Sequence, residues 1–395
     1  MKHGTTLDQK FCSRILRTVA FAFALAGCGG GVESGGTGAP VFASGTITGF
    51  GSIVVGSVHF DDSRASVTDA DGTARSRDDL RLGMTTEVRG GAIGTDATGT
   101  SVSAATSIVF GSEVLGPLTA IDRAANRLVV LGQTVDIGAA TVFDAAGVSG
   151  GLAALSVGDV LEVYALFDAA TGHYGATRIE RKTGVTGFVL RGPVTRLDTG
   201  AKELNIGSER ISYAAFAGTL PAGLANGSVL RVRVGTVKTG GAWVVSALSD
   251  RVQRPLDRDE VRLDGRVSAF TSVTQFSVDG VAVDASAASS AGLALGVRVE
   301  VEGTASGGTL VATRVKVKTE AESDGQDFEL RGSVASPNPA ASSFVVRGIT
   351  VVYSGVGTEF KDGTAAGLVS GASVEVRGRL SANGTQLAAT RITFR

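Results

Sequence analysis

Along most of the chain apolar and polar residues alternate with a period of two, and single glycines break the alternation at intervals. Val299-Glu300-Val301-Glu302-Gly303 and Val374-Glu375-Val376-Arg377-Gly378 are the clearest stretches. Period two puts the valines on one face of a strand and the charged residues on the other. A nine-residue phrase leads into each such strand: Leu, two residues, Gly, three residues, Glu or Arg, Val. It occurs at Leu80 to Val88, Leu155 to Val163, Leu224 to Val232, Leu293 to Val301 and Leu368 to Val376. Regular recurrence of this kind predicts a tandem array of one supersecondary unit.

Each unit opens with a glycine among alternating residues, at Gly45, Gly116, Gly192, Gly265 and Gly332. A short apolar run interrupted by a turn follows, as in Phe276-Ser277-Val278-Asp279-Gly280 and Phe344-Val345-Val346-Arg347-Gly348. Such runs read as hairpins. The phrase supplies a further strand, and four units close on Ala-Thr-Arg/Ser-Ile/Val, at Ala105 to Ile108, Ala176 to Ile179, Ala312 to Val315 and Ala389 to Ile392. If the closing strand pairs antiparallel with the phrase strand, its Arg is expected to meet the phrase Glu. About five strands in about 70 residues bury a core best by curling into a barrel, which also hides sheet edges. The expected fold is therefore all-β, a tandem array of five small five-stranded OB-like barrels, each with its own core. The repeats span 44–110, 111–182, 185–253, 260–318 and 327–395. One helical turn is expected before the phrase in Phe216 to Leu224 and in Ala285 to Ala291. Charged joints at Gln253 to Glu260 and Thr319 to Asp327 are expected to flex.

The first 27 residues do not fit this pattern. A basic stretch leads into the apolar run Thr18 to Ala26, too short to span a bilayer as a helix. Such a segment reads as a secretory signal. It ends in Leu25-Ala26-Gly27-Cys28, which resembles the lipobox of bacterial lipoproteins. The resemblance implies cleavage before Cys28 by signal peptidase II, with Leu25, Ala26 and Gly27 as its recognition residues, and a diacylglycerol on the Cys28 thiol. Membrane attachment through that lipid follows. Gly29 in place of Asp implies the outer membrane of a Gram-negative envelope. The Gly-rich stretch to Ala43 reads as a flexible tether. Cys12, the other of the 2 cysteines, lies inside the leader, so the mature chain has no intrachain disulfide to form.

The repeats themselves resemble the bacterial envelope family known as domain of unknown function 5666. Gly49-Phe50-Gly51-Ser52-Ile53-Val54-Val55 and His59-Phe60-Asp61 are similar to its opening strands, and Leu-x-x-Gly, Val-Glu-Val and Ala-Thr-Arg-Ile to its closing ones. The resemblance runs over residues 44–395 in five copies, with repeats two and three departing most. It implies an architecture and no activity.

Composition narrows the function further. Net charge is −1 and aromatic residues are 6% of the chain, which supplies neither the basic surface nor the stacking platforms that nucleic acid needs. Mean hydropathy of +0.23 and 19% charged residues exclude a disordered chain. Glu87, Glu162, Glu300 and Glu375 recur at one slot of the phrase and read as a solvated outer face. Arg231 takes the slot in repeat three, which a shared ligand role would not allow. His59 and His173 lie in different repeats and non-equivalent slots, so no zinc set is formed. Asp69-Ala70-Asp71-Gly72-Thr73 offers Asp69 and Asp71 as metal candidates, but it lacks the remaining ligands of a calcium loop and reads as a hairpin turn. Tyr164, Phe167, His173 and Tyr174 bracket one hairpin and read as a local aromatic cluster. No cofactor is implied. The expected role is a non-catalytic, lipid-anchored binding or spacer array with a protein or glycan partner. The alternatives are an envelope enzyme with an inter-repeat cleft using Asp61, Asp62 or Asp69, and an OB-like oligonucleotide binder.

Overall fold

The repeat shows most clearly in residues 114–182. The first strand, Val114–Asp122, pairs antiparallel with Arg127–Val130 along one edge and with Val160–Asp168 along the other. Arg127–Val130 turns back into Gln133–Phe143, which lies parallel to the closing strand His173–Lys182. That strand pairs antiparallel with Val160–Asp168 and shuts the barrel. In order of pairing the strands run first, second, third, fifth, fourth and back to the first.

The same circuit recurs in repeat three, through Phe188–Asp198, Glu203–Ile206, Glu209–Ser212, Trp243–Ser249 and Val229–Val234. Repeat four has it through Glu260–Ser272, Gln275–Val278, Val281–Asp284, Thr309–Val317 and Arg298–Ser306. In repeats one and five the first strand is broken in two, as Val41–Thr46 with Gly49–Phe50 and as Phe328–Ser333 with Ala335–Asn338. The rest of the circuit is kept. The protein is all-β, built of small five-stranded barrels. This description rests on a computed structural model covering residues 38–249, 254–288, 291–319, 322, 325–381 and 383–395. Leu25, Ala26, Gly27, Cys28 and the tether up to residue 37 lie outside the described residues.

The phrase owes its glycine to backbone conformation. Gly83, Gly158, Gly227, Gly296 and Gly371 have φ of +82°, +99°, +92°, +79° and +89°. An L-residue there would bring its Cβ against a carbonyl oxygen. The helical turns are not where they were expected. Short 3-10 turns precede the phrase at Arg77–Asp79, Gly151–Ala154 and Ala365–Gly367, in repeats one, two and five. The segments of repeats three and four form β-turns instead, with Leu224 N–H donating to Pro221 O at 3.3 Å and Ala288 N–H to Ala285 O at 3.0 Å. Among the described residues no helix is long and apolar enough to cross a membrane.

The barrels do not stand alone. Val41–Thr46 of repeat one runs parallel to the first strand of repeat four, with Val41 opposite Glu260 and Ser44 opposite Leu263. Gly49–Phe50 runs parallel to the first strand of repeat five, with Phe50 opposite Leu330. Repeats two and three join first strand to first strand in the antiparallel sense, with Val114 opposite Leu190. Their cores join accordingly: one cluster fuses repeats one and five and takes in Val142 and Tyr164 of repeat two, a second fuses repeats two and three, and a third is repeat four with Phe42 inserted from repeat one. The expectation of one separate core per repeat is corrected. A first strand covered on both faces and both edges has no polar side to keep wet, so Val41, Phe42 and Ala43 are all buried in succession. These three residues, read as the end of the tether, belong to the first strand. The described part of the joint before repeat four is pinned rather than loose. Arg89 of repeat one pairs with Asp259 at 3.0 Å and also donates to the Arg254 carbonyl, and Asp259 is buried.

Candidate functional site

The recurring acids of the phrase do not form a row. Glu162 pairs with Lys182 at 2.9 Å, Glu300 with Lys318 at 2.6 Å, and Glu375 with Arg331 at 3.1 Å and with Arg395. The partner is not the Arg of Ala-Thr-Arg, as expected, but the cation four residues beyond it. Residues 180, 316 and 393 lie directly across from the three acids, and the cation sits two residues further on the same face, in diagonal contact. Glu375 is 5% exposed and Arg231 8%. This face is therefore not simply solvated: it carries ion pairs, some of them between repeats.

Asp71 shows where Arg231 belongs. The Arg231 guanidinium pairs with Asp71 of repeat one at 3.0 Å and donates to the Ser112 carbonyl, while Arg233 reaches Asp71 at 3.2 Å. The Asp69 carboxylate accepts the N–H groups of Asp71 and Thr73 and pairs with Arg75 at 2.7 Å. Burial would raise its pKa, but these donors hold it below the ordinary carboxylate range. Both metal candidates thus serve a hairpin and a repeat junction, and their charge is already met by guanidinium groups.

The carboxylates named for an enzyme do not converge on a cleft. Asp61 is exposed and held low by the Ser63 N–H, whereas Asp62 is buried 3.6 Å from Arg77. His59 is buried and its pKa is lowered by that burial, against the pull of Glu329 at 3.7 Å. His173 Nδ1 lies 2.8 Å from Asp136. Tyr174 is core, its hydroxyl donating to the Arg191 carbonyl at 2.6 Å and its ring 5.0 Å from Phe167.

A different set of groups does come together. Where repeats one, two, three and four meet, a cavity of about 290 Å³ is walled by Phe42, Phe110, Phe167, Leu263 and Val281. Glu87, Glu113, Arg191, Arg231 and Asp279 are the ionisable residues that line it. Arg191 of repeat three grips Glu113 with one guanidinium nitrogen, at 2.9 and 2.8 Å to the two oxygens. The backbones meet there too, Arg191 N–H donating to Glu113 O at 2.8 Å. Glu113 is buried, and its charge raises the pKa of Arg191 further.

Asp279 is the exceptional group. It sits in the first hairpin of repeat four at φ +46°, and its carboxyl lies over Gly265, where a Cβ would come within 1.9 Å of Oδ2. Among the described residues no cation is in ion-pair contact with it. Burial pushes its pKa up to about 7; Arg191 opposes this, and Glu113 adds to it. A carboxyl poised near neutrality in an apolar-walled cavity can hold or release a proton, or accept a cation. The sequence marked Asp279-Gly280 only as a turn, and Glu113 and Arg191 not at all. The remaining signal was the apolar run Phe188-Val189-Leu190, whose lack of alternation marks a strand covered on both faces.

Comparison with curated proteins finds no match. The family comparison matches repeat two, which had been expected to depart, and leaves repeats one and three outside the matched residues although they share the strand circuit. The chain is a tandem-barrel protein whose residues 116–180, 264–316 and 331–393 match the family described as Domain of unknown function (DUF5666).

Proposed function

We propose that the protein is a non-catalytic, lipid-anchored cell-envelope protein, held on the outer membrane through Cys28, whose packed barrels form a rigid body for binding a partner. The observation that carries this reading is one fold repeated without a repeated polar cluster. At the recurring slot Glu162, Glu300 and Glu375 are each neutralised by a cation of their own repeat, and Arg231 stands in for the acid. Repeats that keep their cores and vary their loops suit binding and scaffolding. The binding surface is the cavity among repeats one to four, where Phe42, Phe110 and Phe167 meet ionisable groups of several repeats.

Two experiments test it. Globomycin treatment, with Cys28→Ala as control, is expected to leave unprocessed precursor and to release the protein from the outer-membrane fraction. A photo-crosslinker placed at Phe167 in intact cells is expected to capture a defined partner or ligand. Soluble, correctly processed Cys28→Ala protein together with no crosslink from Phe167 overturns the proposal. An enzymatic reading is favoured by Asp279 alone. It requires turnover that Asp279→Asn abolishes.

A further inference from the structure

The hairpin slot above the opening glycine can be compared across the barrels. In repeat two Leu131 fills it at φ +45°, its Cβ 2.7 Å from where a Cβ on Gly116 would stand. In repeat five Arg347 fills it at φ +49°, and in repeat four Asp279 does so at φ +46°. The backbone is the same in all three, so the barrel does not dictate the side chain. A leucine closes this slot in repeat two, where a carboxyl in repeat four sits beside apolar walls and carries the cost of its own burial. The Arg266 backbone N–H donates to the Asp279 carboxyl and offsets part of that cost, but among the described residues no cation is in ion-pair contact with it.

The charges around it are settled in pairs. Arg191 is held by Glu113 at 2.8 Å, and Arg231 by Asp71 at 3.0 Å and by the Ser112 carbonyl. Asp264, behind the wall, is held by Arg298 at 2.8 Å and Lys318 at 3.4 Å. Glu87 also faces the cavity. With both arginines matched, an incoming anion finds no cation to neutralise it, whereas an incoming cation finds Asp279. The side chains of Phe42, Phe110 and Phe167 line the cavity and bury hydrocarbon, and the Phe42 ring already has the Arg89 guanidinium 5.3 Å from its centroid. A volume of about 290 Å³ admits one small molecule and excludes a folded chain.

We infer that the cavity among repeats one to four binds a small hydrophobic amine in its ammonium form, with Asp279 as the counter-ion and the phenylalanine walls around the hydrocarbon part. This deepens the binding function proposed above and rests on it. An ammonium group binds the ionised carboxyl, so binding at mildly acid pH expels the Asp279 proton. Affinity then rises about ten-fold per pH unit up to the Asp279 pKa and levels off above it.

The test is calorimetric titration of the full chain, in a zwitterionic detergent, with three probes of one shape: phenethylamine, 2-phenylethanol and 3-phenylpropionate. The amine is expected to bind about ten-fold more tightly than the alcohol, and the acid not at all. At about pH 6 its binding heat should vary with the ionisation enthalpy of the buffer, because a proton is released; at about pH 8 it should not. Asp279→Asn, which removes a costly charge and keeps the shape, should reduce amine binding to the level of the alcohol and leave the alcohol unchanged. Asp61→Asn, at an exposed site of repeat one, should change nothing. Equal binding of amine and alcohol, preference for the acid, or amine binding insensitive to Asp279→Asn overturns the inference. If no probe binds while the Phe167 crosslink in cells persists, the amine reading falls and the binding function stands. If the crosslink is absent as well, both fall.

Discussion

Asp279→Asn also has a thermodynamic signature that needs no ligand. The pKa of Asp279 is raised by burial from 3.8 to about 7. A raised carboxyl pKa means that the folded state holds the proton more tightly than the unfolded chain does. Its stabilising effect is complete below the unfolded value, is lost as pH climbs through the interval, and is gone above the folded value. Each pH unit within the interval is worth about 1.36 kcal/mol, which sets a ceiling of about 4 kcal/mol over the whole of it. Asp279 is half-buried rather than sealed, so water at the cavity mouth reduces that to about 2–3 kcal/mol. Asparagine has the same shape and no titration. Urea unfolding of both proteins from about pH 5 to about pH 8 should therefore show wild type losing about 2 kcal/mol relative to the variant, with the two curves level above about pH 7.5. Parallel curves across that range would refute the argument, because they would mean that the carboxyl is ionised throughout and solvated in the folded state.

Other perturbations probe the junctions. Glu113→Gln strips the counter-ion from Arg191 at the joint of repeats two and three, and should cost about 3–5 kcal/mol in denaturant unfolding, whereas Glu359→Gln, in an exposed pair with Arg391, should cost under about 1 kcal/mol. Gly158→Ala has open space around its Cβ and should cost only the left-handed backbone penalty, about 1–2 kcal/mol; Gly83→Ala would also set its Cβ 2.4 Å from the Thr177 carbonyl of repeat two and should cost clearly more. Thr106, Thr313 and Thr390 donate their hydroxyls to carbonyls of the neighbouring strand, but the equivalent Thr177 hydroxyl is buried with no hydrogen-bond partner among the described residues. Thr177→Val should be neutral or stabilise by about 1 kcal/mol in thermal unfolding, while Thr313→Val should destabilise slightly.

The barrel could be read from the chain because its causes are local. Alternation at Val299-Glu300-Val301 fixes which face is buried, and the phrase glycine fixes a left-handed turn, so strand and turn follow from a few neighbouring residues. The pairing of barrels is not local. Nothing near Val41 in sequence points to Glu260, and nothing near Glu113 points to Arg191. The information was present in a weaker form. Val41-Phe42-Ala43 and Phe188-Val189-Leu190 break the alternation, and an unbroken apolar run in an otherwise alternating protein marks a strand with no wet side. The acids of the phrase were read as a solvated face, but Glu375 is buried and Glu162 and Glu300 turn toward cations as much as toward water. Asp279 was hidden because Asp-Gly is good turn chemistry, and turn chemistry accounts for the residue type without asking what the carboxyl faces.

The two parallel seams of repeat one bear on how the molecule is made. Its Val41 strand waits for residue 260 and its Phe50 strand for residue 330, so each lip stays bare while more than half of the chain is made. Bare lips invite the wrong neighbour. Assembly thus ends where it began, with the latest-made units locking onto the earliest. A gene that lost or gained a single unit would leave a lip without its mate, unlike a solenoid, which can shorten by one step and remain whole.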